Sequence, residues 1–306
     1  MQAGCIPAGA QGDAIAPMTT AHDTPAALPA LFLSHGSPMI ALEDSPAARF
    51  LDRLGPVIDA TFGRPKAVVI TSPHTPARQP LALAARQHGA VHDFGGFPRE
   101  LYALRYDTPG DLPLSARVAA LIGQAGLDGG LAEATGMDHG IWTLLRRMWP
   151  QGGIPVVPLA LVPNRAPAWQ WQLGTALSAL AREGVLVIGS GAFTHNLGRY
   201  PFGRDASQEP VQPDVRDWQQ WITDRVTAQD WSALFDYRRQ APRAAFQHPT
   251  DEHWLPFYVA AGAGAGPEAT VVPAHRLHDS VDAGVLAMDG WAFGTGADRL
   301  AEALAA

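Results

Sequence analysis

The feature that most constrains the fold is a short pattern that occurs three times: an apolar, strand-like run with a histidine just beyond it. The three instances are residues 30–33 before His35, residues 67–70 before His74, and residues 185–188 before His195. Runs this short and this apolar are typical of buried strands. In open α/β sheets, ligands bind beyond the carboxyl ends of the strands. The three histidines are therefore expected to meet at one edge of a sheet.

A single histidine at a strand end is more often structural than functional, because it can pack there and bond a backbone carbonyl. Three at equivalent positions are much harder to attribute to packing. Neutral imidazole is the commonest metal ligand in proteins, and the ligands of one site must converge from separate elements. The pattern therefore predicts a metal site shared by His35, His74 and His195.

Strand-like and helix-like segments alternate along the rest of the chain, which favours one α/β domain. Helical periodicity marks residues 41–54, 112–125, 141–149, 168–182 and 214–239, and strand-like runs mark residues 81–85, 155–161, 269–272 and 285–293. We expect a central, mostly parallel or mixed sheet flanked by helices, with the metal site at the carboxyl ends of the strands. Residues 1–29, rich in Ala, Gly and Pro, are expected to form a flexible tail before the domain of residues 30–306.

Composition excludes several classes of protein. The formal charge is −7 and there is no run of Lys and Arg, which argues against a nucleic-acid or anionic-membrane partner. No apolar run approaches the roughly 18 residues of a membrane span. The only cysteine is Cys5, which excludes a disulfide framework, a cysteine zinc site and a core catalytic thiol. These features predict a reduced, cytoplasmic setting.

Three further polar segments carry candidate residues with two readings each. His92 and Phe94 lie in a glycine-rich loop that forms either an aromatic wall over a pocket or an ordinary packed loop. His139 precedes a short apolar helix and either faces the same site or packs there. Asp251 and Glu252 suit the first turn of a helix that Pro249 is expected to open, whatever their function.

Six motifs, taken together, resemble a known family. They are SHGSP at residues 34–38, SPHT at 72–75, HDFGGFP at 92–98, DHGIW at 138–142, GSGAFTHNL at 189–197 and HPTDEHWLP at 248–256. Each is weak alone, but the ordered set is specific. Over about residues 30–295 the chain resembles the LigB-type, class III extradiol ring-cleavage dioxygenases, and among them the DOPA 4,5-dioxygenase branch.

The resemblance implies an oxidoreductase, with residues 30–306 as its catalytic domain. Its substrates would be O2 and a catechol, a DOPA-like 3,4-dihydroxyphenyl compound, whose ring opens beside the diol. The implied cofactor is a mononuclear non-haem Fe(II), with Zn(II) sometimes found in the same site. The sequence leaves the oligomeric state undefined.

Site residues follow from the matched motifs. His35, His74 and His253 align with metal ligands of the family. His195 aligns with a histidine that serves as ligand, as acid/base, or as both, and His139 aligns with one near substrate and dioxygen. By the same resemblance, the contacts expected with the substrate come from His92, Phe94 and His248.

Two other functions remain compatible with the residues. A zinc hydrolase would activate water on the same histidines, with Glu252 as base. A non-catalytic binding protein would resemble Memo-type relatives. The complete histidine set favours an enzyme.

Neighbouring residues of a helix after Pro249 point about 100° apart, so we expect only one of Glu252 and His253 to face the metal. The family match favours His253.

Overall fold

The apolar runs become strands in the structure, a computed structural model that describes residues 1–2, 27–203, 206, 208–267 and 271–306. The strands are β1 (Ala30–Ser34), β2 (Ala67–Pro76), β3 (Leu81–Ala84), β4 (Gln87–Ala90), β5 (Thr108–Pro109), β6 (Gly130–Glu133), β7 (Gly136–Met137), β8 (Val156–Leu161), β9 (Val185–Gly191), β10 (Ala274–His278), β11 (Val281–Asp282), β12 (Leu286–Ala287) and β13 (Gly290–Phe293).

In the described part of the chain, α-helices lie in six of the twelve connections between these strands. The α-helices are α1 (Pro46–Phe62), α2 (Arg99–Ala103), α3 (Leu112–Gln124), α4 (His139–Met148), α5 (Pro167–Leu177), α6 (Pro213–Thr227), α7 (Trp231–Phe235), α8 (Tyr237–Gln240), α9 (Ala244–Gln247), α10 (Leu255–Ala265) and α11 (Ala297–Ala305). Short 3-10 helices cover Pro38–Ala41, Ser178–Glu183 and Leu197–Arg199. Among the described residues, no helix is long and apolar enough to cross a bilayer.

Eight strands form the main sheet, in the order β10-β13-β1-β9-β2-β8-β3-β6. The central four, β1, β9, β2 and β8, pair in parallel, while β13 and β3 join this block through antiparallel pairing. Every residue of β1, β8 and β9 is buried, as expected for parallel strands covered on both faces. The predicted α/β domain with a mixed sheet is confirmed.

Alternation along β2 divides the core between the two faces of the sheet. Val68 and Ile70 pack into a cluster that includes residues of α1, α4 and α11. Val69 packs on the other face, with residues of α3, α5 and α10. The helices therefore cover both faces and leave the carboxyl edge of the parallel strands free to carry polar side chains.

Several helix boundaries differ from the predicted ones because capping overrides periodicity. The first helix starts at Pro46, where the Ser45 hydroxyl accepts a hydrogen bond from the backbone N–H of Ala48, a favourable N-cap and first-turn proline. Residues 214–239 form three helices. The chain turns at Gln229, whose φ is 56°, and Asp230 caps the next helix.

Three other predictions need correction. The second strand extends through His74 to Pro76, so His74 lies within β2 and not beyond it. The helix expected to open at Pro249 begins only at Leu255, since residues 251–254 form a turn. A strand was also expected over residues 269–272. Residues 269 and 270 lie outside the described part of the chain, and the observed strand in this region begins at Ala274.

Residues 3–26, including Cys5, lie outside the described part of the chain, so the flexible tail stays a prediction for them. Leu28 is only 5% exposed and belongs to the core. Its backbone N–H donates to the carbonyl of Ala181. The packed domain therefore begins slightly before residue 30.

Candidate active site

The carboxyl end of β9 fixes two histidines from distant parts of the chain. Its neighbours on either side are β1 and β2. The Gly191 carbonyl accepts a hydrogen bond from the backbone N–H of His35, and the N–H of Ala192 donates to the carbonyl of His253, both at 2.9 Å. Parallel pairing thus brings residues from the start, middle and end of the sequence to one edge.

The Nε2 atoms of three imidazoles converge there. His74 Nε2 lies 3.2 Å from His35 Nε2 and 3.2 Å from His253 Nε2. Two nitrogens bound to one ion at about 2.1 Å, at tetrahedral or octahedral angles, are roughly 3.0–3.4 Å apart. The spacing and the donor type therefore fit a single first-row metal ion.

Hydrogen bonds define the tautomers of two of these rings. Ser190 donates its hydroxyl proton to the carbonyl of Gly140, so its oxygen accepts from His35 Nδ1 at 2.9 Å. Glu252 Oε1 lies 3.1 Å from His253 Nδ1, and an ionised carboxylate only accepts. Both rings therefore carry their proton on Nδ1 and present an Nε2 lone pair to the site.

Two residues near the third ring, that of His74, are bonded to the start of α4. Ser72 and Thr75 donate to the two carboxylate oxygens of Asp138, at 2.7 Å and 2.5 Å. Burial raises the pKa of Asp138 even though both hydrogen bonds lower it. Because Asp138 immediately precedes α4, these bonds tie the end of β2 to the start of that helix.

His139, the first residue of α4, turns its Nδ1 away from the cluster. That nitrogen is 3.1 Å from both carboxylate oxygens of Asp93, and the backbone N–H of His139 donates to Asp93 Oδ1 at 2.9 Å. The His139 ring packs against His74 with centroids 4.0 Å apart. One ligand atom from each of His35, His74 and His139 lies within 4.8 Å of the others.

His195 stacks face to face on His253. Their ring centroids are 3.4 Å apart and their planes differ by 10°. One ligand atom from each of His195, Glu252 and His253 also lies within 4.8 Å of the others. An imidazole would bind a metal through a lone pair in the plane of its ring, and these two rings lie in separate, nearly parallel planes.

Burial lowers the pKa values of four of these imidazoles and so favours their uncharged form. Desolvation, followed by the proximity of the other rings, lowers the pKa of His74 to about 3 and that of His195 to about 2. The same desolvation lowers the pKa values of His35 and His253. Neutral imidazole is the form that binds metals and accepts protons.

A cavity of about 360 Å³ opens in front of the histidines. It is lined by His35, Gly36, Ser37, Pro38, His74, Phe94, Gly95, Gly96, Phe97, His139, His195, Leu197, Tyr200, Phe202, His253 and Leu286. The described lining thus combines imidazoles with aromatic and aliphatic side chains. A planar aromatic ligand with one polar edge matches that combination.

The other two expected substrate contacts lie outside this lining. His92 packs behind the wall, with its ring 5.6 Å from Phe94 and 5.7 Å from Trp142. His248 is fully buried, and its Nε2 lies 3.0 Å from the carbonyl of Phe193. Neither residue is among those that line the cavity in this structure, and a direct contact of His92 or His248 with substrate stays a prediction.

The turn before α10 explains how His253 and Glu252 divide their roles. His253 faces the cluster, whereas Glu252 binds the far nitrogen of the same ring and accepts from the Thr250 hydroxyl at 2.9 Å. The hydrogen bond from His253 holds the pKa of Glu252 at about 2. The two residues lie in a turn and not in the expected helix, and the choice of His253 over Glu252 as the metal ligand stays a prediction.

Sequence reasoning missed three supporting residues: Asp93, Asp138 and Ser190. Each lies inside a motif that was singled out for a neighbouring histidine or glycine, so its position was a usable signal. What the motifs did not reveal is the partner of each residue. Asp93 binds His139, 46 positions away, and Ser190 binds His35, 155 positions away. Asp138 binds Ser72 and Thr75.

Comparison with known proteins gives a consistent result. The sequence model described as "Catalytic LigB subunit of aromatic ring-opening dioxygenase" matches residues 29–283. A 4,5-DOPA dioxygenase extradiol from Beta vulgaris is 33% identical over 86% of this chain and 95% of its own length. The protein of the same name from Escherichia coli K12 is 34% identical over 82% of this chain and 90% of its own.

A solved structure is similar as well. The crystal structure of an uncharacterized protein from Escherichia coli K12 superimposes with a TM-score of 0.69 at 30% identity. The match covers 87% of this chain and 100% of that one.

Proposed function

This chain belongs to the family of LigB catalytic subunits of aromatic ring-opening dioxygenases, and on that premise we propose that it opens a DOPA-like catechol beside its diol, with O2 as co-substrate. One observation carries the proposal: three imidazole Nε2 atoms in a chain of 3.2 Å spacings at the base of an aromatic-walled cavity. The names of the relatives, 4,5-DOPA dioxygenase extradiol, support the substrate class.

The proposed metal ligands are His35, His74 and His253. Support comes from their spacing, from the two tautomers that Ser190 and Glu252 impose, and from the burial that keeps the rings neutral. A bound Fe(II) would be chelated by the two diol oxygens, and it would supply Lewis-acid and redox chemistry for the reaction with dioxygen. Zn(II) accepts the same donor set, so it would fill the site without supplying redox chemistry.

Proton handling then falls to the two cavity imidazoles outside this ligand set. His195 stays neutral and can accept a proton from the diol. It would hold that proton weakly, because its surroundings favour the uncharged ring. His139, beside Asp93, would supply a proton to the product as the catechol ring opens. Of the two roles that the sequence left open for His195, its stacking on His253 favours acid/base chemistry over ligation.

The aromatic wall would orient the substrate. Phe94 lies with its ring centroid 5.7 Å from His139 and 5.3 Å from Phe97. A catechol ring placed between this wall and the imidazoles would present its diol edge to the metal and exclude water from the reacting carbons. We further propose a cytoplasmic location, since a ferrous site and a single cysteine suit a reducing compartment.

A zinc hydrolase is the weaker candidate. It would need Glu252 as a base facing a metal-bound water. That carboxylate is engaged by His253 Nδ1 and by Thr250 on the side away from the ring nitrogen that faces the cluster.

The test is anaerobic reconstitution of the full chain with Fe(II), followed by oxygen uptake and visible absorbance with DOPA, dopamine and 4-methylcatechol. We expect one O2 consumed per catechol and a new visible absorbance from the opened ring. Zinc-loaded protein and His35→Ala are the matched controls and should show neither. Hydrolysis of an ester by the zinc form, with no oxygen uptake by the iron form, would contradict the proposal.

A further inference from the structure

We infer that Asp93 is a positioning residue of this site, which fixes the His139 imidazole so that its Nε2 faces the cavity. The inference rests on the proposed function for its catalytic consequence. Its structural part, which concerns the tautomer and orientation of one ring, stands independently of the reaction.

The contacts are unusually complete for one carboxylate. Asp93 accepts from the His139 ring at Nδ1, within 3.1 Å of both carboxylate oxygens, and from the backbone N–H of the same residue at 2.9 Å. The backbone contact fixes the start of α4, and the ring contact fixes the rotation of the side chain. Together they leave the His139 ring little freedom to turn.

The fold explains why Asp93 can reach this position. Strands β4 and β7 pair in parallel, with Ala90 opposite Met137. The pairing continues through Val91, whose N–H donates to the Met137 carbonyl at 2.8 Å and whose carbonyl accepts from the indole of Trp142 at 3.0 Å. Asp93 follows two residues later, level with the first residue of α4.

Charge fixes the tautomer. The carboxylate lies at the amino terminus of a ten-residue helix, where the helix dipole favours an anion. An ionised carboxylate only accepts hydrogen bonds, so His139 Nδ1 must donate. The other ring nitrogen, Nε2, then points away from Asp93 toward the cavity that His139 lines.

Asp93 also lies near His74, but that contact is much weaker. Its Oδ2 is 3.9 Å from His74 Nδ1, beyond hydrogen-bond distance. If Asp93 acts through His139 alone, its removal should leave metal binding intact. If it acts through His74, its removal should release the metal. The two routes therefore differ in a measurable property.

The first measurement reads the tautomer directly. Nitrogen-15 histidine NMR of the zinc-loaded protein should show His139 protonated on Nδ1, with the signal assigned by its loss in His139→Ala. Asp93→Ala should abolish that fixed Nδ1–H signal. An unchanged His139 tautomer in Asp93→Ala would overturn the inference, whether or not the enzyme cleaves catechols.

The second measurement is a double-mutant cycle on iron-loaded protein with Asp93→Ala, His139→Ala and the double variant. Removing a residue that orients a catalytic ring typically costs roughly 10–100-fold in activity. We expect that fall in kcat for Asp93→Ala, with KM and iron content near those of the wild type. In the His139→Ala background, the same change should cost less than about twofold, because the two residues act as one unit.

Asp93→Asn removes the negative charge but keeps an oxygen that can accept a hydrogen bond from Nδ1. This variant should therefore retain more activity than Asp93→Ala. Asp107→Ala, an exposed carboxylate that flanks β5, is the matched control and should behave as wild type. Additive losses in the double variant, or loss of iron in Asp93→Ala, would overturn the inference. A wild-type enzyme that consumes no O2 with any catechol would instead refute the proposed function and leave the NMR result to judge Asp93.

Discussion

Glu252 decides how its neighbour His253 is presented to the site. Its carboxylate binds Nδ1 of that ring at 3.1 Å, so Nε2 is the nitrogen left for a metal. Ser190 does the same for His35 through a hydroxyl. Outer partners of this kind raise ligand basicity and fix ring orientation. The donor set therefore depends on residues that would never touch the ion.

The first prediction separates ligand from partner. In His253→Ala, iron bound per chain should fall steeply, because one of three donors is gone. In Glu252→Gln, most iron should remain, since the amide oxygen can still accept from Nδ1. Metal analysis of the two folded variants measures this. Retention in the first variant with loss in the second would mean that the carboxylate is the ligand.

The second prediction concerns acid stability. The folded state holds the pKa of His195 at about 2, whereas an unfolded histidine titrates near 6.5. Between these values the unfolded chain binds the extra proton, so the free energy of unfolding falls as pH drops below about 6.5. The slope of that free energy with pH reports how many more protons the unfolded state binds than the folded state. In metal-free His195→Asn this number should be smaller by about one, as measured by urea titrations between pH 4 and 6.

Comparison of variant with wild type matters in this experiment, because buried acids act in the opposite direction. Burial raises the pKa of Asp289 to about 7, so its contribution to stability grows as pH falls. The contribution of Asp289 is the same in His195→Asn and in the wild type, so it cancels when the two slopes are subtracted. Equal slopes for the two proteins would show that His195 is solvated in the folded state.

At the scale of elements, the site depends on how closely α4 approaches the end of β2. Asp138 links the two through Ser72 and Thr75. Gly140 makes the approach possible: a Cβ there would lie 2.6 Å from Ser72 Oγ and 3.1 Å from His35 Nδ1. The glycine in the DHG sequence is therefore needed for packing against a proposed ligand.

The third prediction follows from this contact. Gly140→Ala should force α4 away from β2, destabilise the fold by about 1–3 kcal/mol, and weaken metal retention. Gly123→Ala is the matched control, since it lies in α3 with nothing within 4 Å of its added Cβ. That change should stabilise the protein by roughly 0.5–1 kcal/mol. Urea midpoints and iron content of both variants provide the measurement.

At the scale of the whole molecule, the proposed ligands join three regions that are far apart in sequence. His35 follows β1, His74 lies within β2, and His253 precedes α10. A ligand that binds only the folded state stabilises it in proportion to the logarithm of its free concentration over Kd. A bound metal should thus connect these three regions at the carboxyl edge of the sheet and stabilise the folded state.

The fourth prediction tests this stabilisation by metal binding. Adding Zn(II) to metal-free protein should raise Tm in a concentration-dependent way, and a chelator should reverse the shift. His35→Ala and His74→Ala should fold without metal but show no such shift. Circular dichroism melts with and without metal measure it. A full shift in either variant would remove that histidine from the ligand set.

The sequence by itself determined the α/β architecture and the cluster of histidines. Three apolar runs specify buried strands through local composition alone, and a histidine beyond such a run must lie near the sheet edge. The six ordered motifs indicated the family, which the comparisons bear out. Helix ends were less predictable, since capping by residues such as Ser45 competes with periodicity over a single turn.

Only the tertiary structure decided which histidines face each other and in which tautomer. His248 belongs to a matched motif as His253 does, yet it is turned to the Phe193 carbonyl, while His253 reaches His74. The physical reason is that a side chain's hydrogen-bond partner depends on long-range packing. Asp93 and His139 meet only because β4 pairs with β7, and no local pattern in either segment specifies that pairing.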